Sequence, residues 1–293
     1  MKMSTLKKVQ SPLLASLALL LPALSYGQNY AIVGDGGDWG KNAQSVRDSI
    51  LRKGESRLLM PGDNLYSWFS TYDAHWSPWS SKGLQFTAVA IGNHNAGYAK
   101  EVQYFKMPGE FYSMVLENGT IRLIVLNSDN RSNVEQQREF LELELLDAKE
   151  PLVFVMYHHP SLTVTDDHSW LERKNFHENI RPLLFRHREK ITAVINGHDH
   201  IASLHEFDDL PVIVSGAVQD TRSPSLVNNT QEGINVRTRW LFEEATHWVK
   251  LIPSATSPTA RLEYIRAKDD RIVCTVDLQT GKRATLGTDC SGN

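Results

Sequence analysis

The chain has 293 residues, 41% of them hydrophobic and 22% charged, with a formal net charge of -3 and a pI near 6.4. That composition excludes disordered and fibrous classes, and the length suffices for one large domain with a substantial core. The mild acidity offers no basic footprint for nucleic acid or an anionic membrane surface, so neither is expected as a partner.

Residues 1–27 read as a secretory signal peptide. Lys2, Lys7 and Lys8 form a positive segment, Leu13 to Leu21 an apolar core too short to span a bilayer, and Ala23-Leu-Ser25 a small-residue cleavage site. The expected protein is therefore secreted or periplasmic, with residues 28–293 as a single domain, no membrane span and no lipid anchor near the cleavage site. A first strand follows from Tyr30 to Val33, then a glycine-rich turn and a helix over Ala43 to Arg52 with Val46 and Ile50 on one face. Arg57 to Met60 is a short buried strand ended by Pro61-Gly62. The stretch from Asp63 to Phe86, rich in aromatic residues, is expected to be a packed excursion over the sheet edge in preference to a cleft wall. Phe86 to Ile91 and Ile121 to Asn127 are further strands. Ser132-Asn-Val-Glu135 has the form of a capping box, opening a helix to about Asp147 with Val134, Leu141 and Leu145 buried. Leu152 to Met156 is a strand, Trp170 to His187 a helix with a break near Pro182, and Ile191 to Asn196 another apolar run. Short strands then cover Val212 to Val214, Trp248 to Ile252, Ala260 to Ile265 and Ile272 to Leu278, with the C-terminal strands and tail starting from about residue 245 and Pro253 to Thr259 as a turn. Cys274 and Cys290 are the two cysteines, and in an exported chain they read as a disulfide pinning the tail, worth roughly 3 kcal/mol by loop entropy.

Five apolar runs share one ending, a glycine or aromatic residue followed by a carboxylate, amide or imidazole. They lead into Asp35, Asp63, Asn93-His94, His158-His159 and His198-Asp199-His200. Hard oxygen and imidazole donors converging on one edge of a sheet describe a two-metal hydrolytic centre. Asp35 and Asp38 both fit a metal-binding turn, and either could instead cap the next helix; Asp35 is preferred because it sits at the strand end. Asp63 is assigned the bridging position, and Tyr66, three residues on, can reach a metal from the same turn. Asn93 is the better ligand of its pair, leaving His94 to meet substrate. Strand alternation allows only one of His158 and His159 to face the metals. His75, His177, His187, His205 and His247 fall outside these motifs and are read as surface or core residues.

In this order, Gly-Asp35-x-Gly, Gly-Asp63-Asn-Leu-Tyr66, Gly-Asn93-His94, Tyr-His158-His159-Pro and Gly-His198-Asp-His200 resemble the motifs of the calcineurin-like metallophosphoesterases. Tyr66 and the fourth motif resemble most the small, tartrate-resistant type of purple acid phosphatase. The resemblance, over roughly Tyr30 to Ala217, implies an α/β fold: a four-layer αββα sandwich of two mixed β-sheets flanked by helices. It implies Fe(III) on Asp35, Asp63, Tyr66 and His200, and a divalent iron, zinc or manganese on Asp63, Asn93, His158 and His198. The implied activity is phosphomonoester hydrolysis of small phosphorylated substrates by a hydroxide held on the metal pair, with a phosphodiesterase or nucleotide hydrolase as the alternative and a non-catalytic phosphate- or metal-binding protein as the second. His94 would orient phosphate or protonate the leaving oxygen, and His168 and His159 are further candidates for the catalytic set. Asn95 departs from the pattern, which usually places an acid there.

Overall fold

The computed structural model describes residues 28–38, 40–67, 70–165, 168–224 and 236–290. The expected signal segment, and Trp68 and Phe69 of the aromatic stretch, lie outside these residues. The chain opens with β1 (Tyr30–Ile32), α1 (Lys41–Arg52), β2 (Arg57–Met60), α2 (Tyr72–Ser80), β3 (Gln85–Val89) and α3 (Tyr98–Phe105). Next come β4 (Tyr112–Leu116), β5 (Ile121–Val125), α4 (Val134–Asp147), β6 (Leu152–Met156), α5 (Lys174–Arg186) and β7 (Ala193–Asn196). Strands β8 (Ala202–Phe207), β9 (Leu210–Ser215), β10 (Val236–Phe242), β11 (His247–Pro253), β12 (Thr259–Arg266), β13 (Arg271–Gln279) and β14 (Thr285–Leu286) follow.

These strands form two mixed sheets of seven, ordered β14-β13-β12-β11-β1-β2-β3 and β10-β8-β9-β7-β6-β5-β4. In the first, β1, β2 and β3 run parallel; in the second, β5, β6, β7 and β9 do. Parallel neighbours end at the same edge, so the turns that leave them collect there. Alternation of side chains explains the layering. Phe154, Met156 and Ile195 join the core shared with Ile32 and Leu58 of the first sheet, while Val153, Val155 and Val194 pack with Leu141, Leu145, Ile180 and Leu184 of α4 and α5. Apolar runs without polar interruption are what a strand covered on both faces requires. On the outer side of the first sheet, α1 buries Val46 and Ile50, and Trp248 of β11 donates from its indole to Ser49 Oγ at 2.9 Å.

Several local expectations change. Asn133, and not Ser132, caps α4: its side chain accepts from the Gln136 N–H at 3.1 Å, which puts Val134 in the first turn. Pro182 does not break α5. Both Pro182 and Glu178, whose carbonyl it leaves unbonded, are exposed, so water can take that place. The discontinuity comes earlier, where a 3₁₀ turn over Trp170–Arg173 precedes α5, with Ser169 and Glu172 closing a capping box. The aromatic stretch is a packed excursion as expected, and it contains α2, whose Trp76 and Trp79 are fully buried. Cys274 and Cys290 form a disulfide. No helix among the described residues is long and apolar enough to cross a membrane.

Candidate metal centre

Asp35, Asp63 and Asn93 follow β1, β2 and β3 of the first sheet, whereas His158 and His198 follow β6 and β7 of the second. The donors therefore meet between two sheets, which corrects the single sheet edge expected from the motifs. Each sheet alone would carry only part of the set. Asp35, Asp63 and His198 all have positive φ, at 58°, 55° and 70°. Side chains other than glycine enter that left-handed region at a cost, and such residues cluster at functional sites. Here the surrounding hydrogen bonds hold them: His198 N–H donates to Asp35 Oδ2 at 2.8 Å and His94 N–H to Asp63 Oδ1 at 2.8 Å. Gly62, at φ +106°, is required twice over, because a Cβ there would stand 2.6 Å from His158 Nδ1.

Tyr66 OH lies 3.1 Å from Asp35 Oδ1 and 3.0 Å from His200 Nε2. His158 Nε2 stands 3.1 Å from Asp63 Oδ1 and 3.9 Å from Asp35 Oδ1, and His200 Nε2 is 3.5 Å from Asp35 Oδ1. Donor atoms of Asp35, Asp63 and His158 fall within 4.8 Å of one another, as do those of His158, His159 and His198. Asp35, Asp63, Tyr66, His158, His198 and His200 are thus brought together. Asp38 is exposed, while Asp35 is fully buried among the other donors.

Asn93 joins through His159. Both histidines of that pair face the site, contrary to the alternation argument, because they lie beyond the last residue of β6, where the extended period no longer holds. His159 Nε2 is 2.8 Å from Asn93 Oδ1 and its Nδ1 is 2.7 Å from Ser128 Oγ. An amide oxygen only accepts, so Nε2 carries the proton and the Ser128 hydroxyl donates to Nδ1. The His159 ring is therefore tied at both nitrogens and orients Asn93. His94 is exposed and stacks on Tyr66, ring centroids 4.4 Å apart, beside a cavity of about 190 Å³ that Asn93, Asn95 and Lys100 also line. Asn95 closes the turn: its amide donates to Gly92 O at 2.6 Å and its oxygen accepts from Gly97 N–H at 2.9 Å. The His168 ring lies against that of His198, tilted by 43° with centroids 3.8 Å apart.

Two participants, Asp220 and Ser128, lie outside the motifs, and a third, Asp199, sits within one without having been given a role. Asp220 accepts from His200 Nδ1, which leaves Nε2 turned toward Asp35. Ser128 orders His159, and the buried Asp199 accepts from Val164 N–H at 2.9 Å, pinning the loop that leads to His168. Each acts through hydrogen bonds to residues 20 or more positions away, and nothing local marks that role.

Charge distribution favours cations. Burial works to raise Asp63, but the His158 imidazole outweighs it and holds the carboxyl below the usual carboxylate range. Burial lowers His158 and His200, yet Asp63 and Asp35 lift the first to about 9, while Asp220 and Asp35 lift the second to about 10. Burial, then Asp35 and Asp63, push the Tyr66 phenol well above its ordinary value. Protons thus stand where positive charge is wanted. His198 Nε2 is buried without a hydrogen bond, and the buried His158 Nε2 has only the Asp63 carboxylate beside it, amid acceptors already crowded together. Carboxylates, a phenol and imidazoles with free nitrogens fit a pair of hard and borderline cations.

No protein-family model matches the chain, and no curated protein does. Solved structures do. GAP50, the anchor in the inner membrane complex of Plasmodium, aligns with a TM-score of 0.69 at 16% identity, over 87% of this chain and 90% of that one. The purple acid phosphatase PPD1 from yellow lupin (Lupinus luteus) seeds aligns at 0.63 and 15%, over 85% of this chain and 53% of its own, and PhoD at 0.60 and 9%, over 89% and 71%. The chain has the metallophosphoesterase fold. This chain spans only about half of the lupin phosphatase, and at these identities the likeness concerns the fold alone.

Proposed function

We propose that this metallophosphoesterase fold carries a dinuclear-metal phosphomonoesterase of the purple acid phosphatase kind, exported and acting on small phosphate esters as a single domain. The observation that carries the reading is the meeting of Asp35, Asp63, Tyr66, His158 and His200 within 3.9 Å contacts, from strand ends of two different sheets. Asp35, Tyr66 and His200 would hold a ferric ion, Asn93, His158 and His198 a divalent iron, zinc or manganese, and Asp63 both. Bound cations supply Lewis acidity and charge neutralisation for an in-line displacement at phosphorus.

The chain's own residues do the rest. Asp220 fixes the tautomer of His200, and Ser128 with His159 fixes the amide of Asn93, so the donors are oriented before any cation arrives. His94 stands at the open side, held flat against Tyr66, where its imidazole can orient the phosphate and give a proton to the leaving oxygen. The cavity beside it is smaller than the roughly 300–1,000 Å³ common for larger ligands, which supports a small ester.

Comparing turnover of an aryl phosphate with that of the matching diester tests this. A monoester preference of about tenfold or more in kcat/KM is expected. Equal rates, or a faster diester, would move the assignment to a phosphodiesterase or nucleotide hydrolase. A metal-loaded protein that cleaves neither would instead be a binding protein, a role closer to the anchor that GAP50 is named for. Tyr66 on ferric iron should also give a charge-transfer colour that Tyr66→Phe abolishes. An active, colourless protein holding only zinc or manganese would remove the iron and leave the hydrolase.

A further inference from the structure

Glu172 already has a structural task. One of its carboxylate oxygens, Oε1, accepts from the Ser169 N–H at 2.8 Å to close the capping box before α5. That cap uses one oxygen. The other, Oε2, stands 3.5 Å from His198 Nε2, and Oε1 is also 3.6 Å from His168 Nδ1. Both separations are too long for hydrogen bonds. Two donors about 2.0–2.1 Å from a tetrahedral ion stand about 3.4 Å apart, close to what is seen here. His198 Nε2 is buried without a partner and faces this carboxylate, and donor atoms of His168, Glu172 and His198 all lie within 4.8 Å of one another. The loop that carries His168 is tied down from the other side, through Asp199 to Val164 N–H and Thr165 Oγ1.

From these positions we infer that His168, Glu172 and His198 form a separate zinc site, which shares His198 with the proposed dinuclear centre. Two imidazoles and one carboxylate are a ligand set that zinc accepts with a fourth position left to water. Glu172 is 35% exposed on its side chain, so the site opens to solvent and can load independently. Zinc in excess then draws His198 away from the pair, and turnover falls. Only this last consequence rests on the proposed function; the binding site does not.

The test is zinc binding by equilibrium dialysis, with cobalt(II) absorption as a second probe of tetrahedral geometry. Glu172→Gln is the informative variant, since glutamine also closes a capping box and leaves α5 intact. In an Asp63→Asn background, where the bridging carboxylate is gone, the protein should still bind one zinc. Adding Glu172→Gln should weaken that binding by about tenfold or more, the loss found even for groups one shell further out. In the otherwise unaltered protein, Glu172→Gln should raise the zinc concentration that inhibits by a similar factor. Unchanged zinc affinity on Glu172→Gln, in either background, overturns the site. Protein that hydrolyses no phosphate ester but still shows the dialysis difference would refute the proposed function and leave this site standing.

Discussion

His158 and His247 are both fully buried, and both carry a ring nitrogen with no hydrogen-bond partner. Their surroundings drive them in opposite directions. Around His158, the carboxylates of Asp63 and Asp35 outweigh burial and lift its pKa to about 9, whereas around His247 burial dominates and lowers it to about 3. His177 and His205 belong with His247: burial takes them to about 3 and about 4, although serine hydroxyls meet one nitrogen of each. An unpartnered imidazole nitrogen is therefore not by itself a sign of a metal site. What distinguishes His158 is that carboxylates, a phenol and other imidazoles have been gathered around it at a cost in repulsion and backbone strain.

The largest effect is expected at Asp63. Asp63→Asn removes the carboxylate proposed to bridge the two metals, and kcat/KM for an aryl phosphate should fall by about a thousandfold, with fewer than two tightly held metals per chain by elemental analysis. A loss below tenfold would mean that the cluster around His158 is no more catalytic than the environment of His247. Next in size is Asp220→Asn, which leaves His200 in place but removes the charge that holds its tautomer. Metal affinity measured by competition with a chelator should drop about tenfold to a hundredfold. An unchanged affinity would show that His200 needs no such support.

Stability against pH sharpens the contrast. In metal-free protein, His158 and His200 have folded pKa values near 9 and near 10, above the ordinary value of about 6.5. Their contribution is complete below pH about 6.5 and is lost as pH rises through 9 and 10. His247 and His177 are depressed, so theirs is complete above pH about 6.5 and is lost as pH falls toward 3. Thermal melts should show both limbs in metal-free protein, and metal loading should remove the alkaline limb alone, because a cation takes the place of the protons on His158 and His200. Two limbs that respond alike to metal would contradict the distinction. The smallest effect is expected from His247→Leu. Because burial dominates around this ring, its replacement should cost at most about 2 kcal/mol in denaturant unfolding and change turnover less than twofold. A larger loss of turnover would tie His247 to the site.

Much of the candidate centre is legible in the sequence because four of its residues follow one local rule, a strand of apolar residues, a break, and then a donor. Asp35, Asp63, His158 and His198 obey it, and the structure brings them together. The distribution of those strands between two sheets is not legible, since it depends on which strands pair and on no feature within any of them. His159 shows the same limit at smaller scale: it lies three residues past the end of β6, where strand alternation no longer holds, and tertiary contacts with Ser128 and Asn93 decide where the ring points. Asp220 and Glu172 lie further out of reach, the first because a single hydrogen bond over 20 residues has no local pattern, the second because its capping role accounts for it completely until His198 is seen beside it. Strand β8 has no clear pattern for another reason: Ser203 and His205 interrupt its apolar period while satisfying each other at 2.7 Å.

Anomalous X-ray scattering from crystals loaded with two equivalents of metal would locate the ions. Two peaks about 3.5–4 Å apart should flank Asp63, with Tyr66 and His200 on one side and His158 and His198 on the other. A protein that takes up metal yet shows no peak in contact with Asp63 would contradict the account.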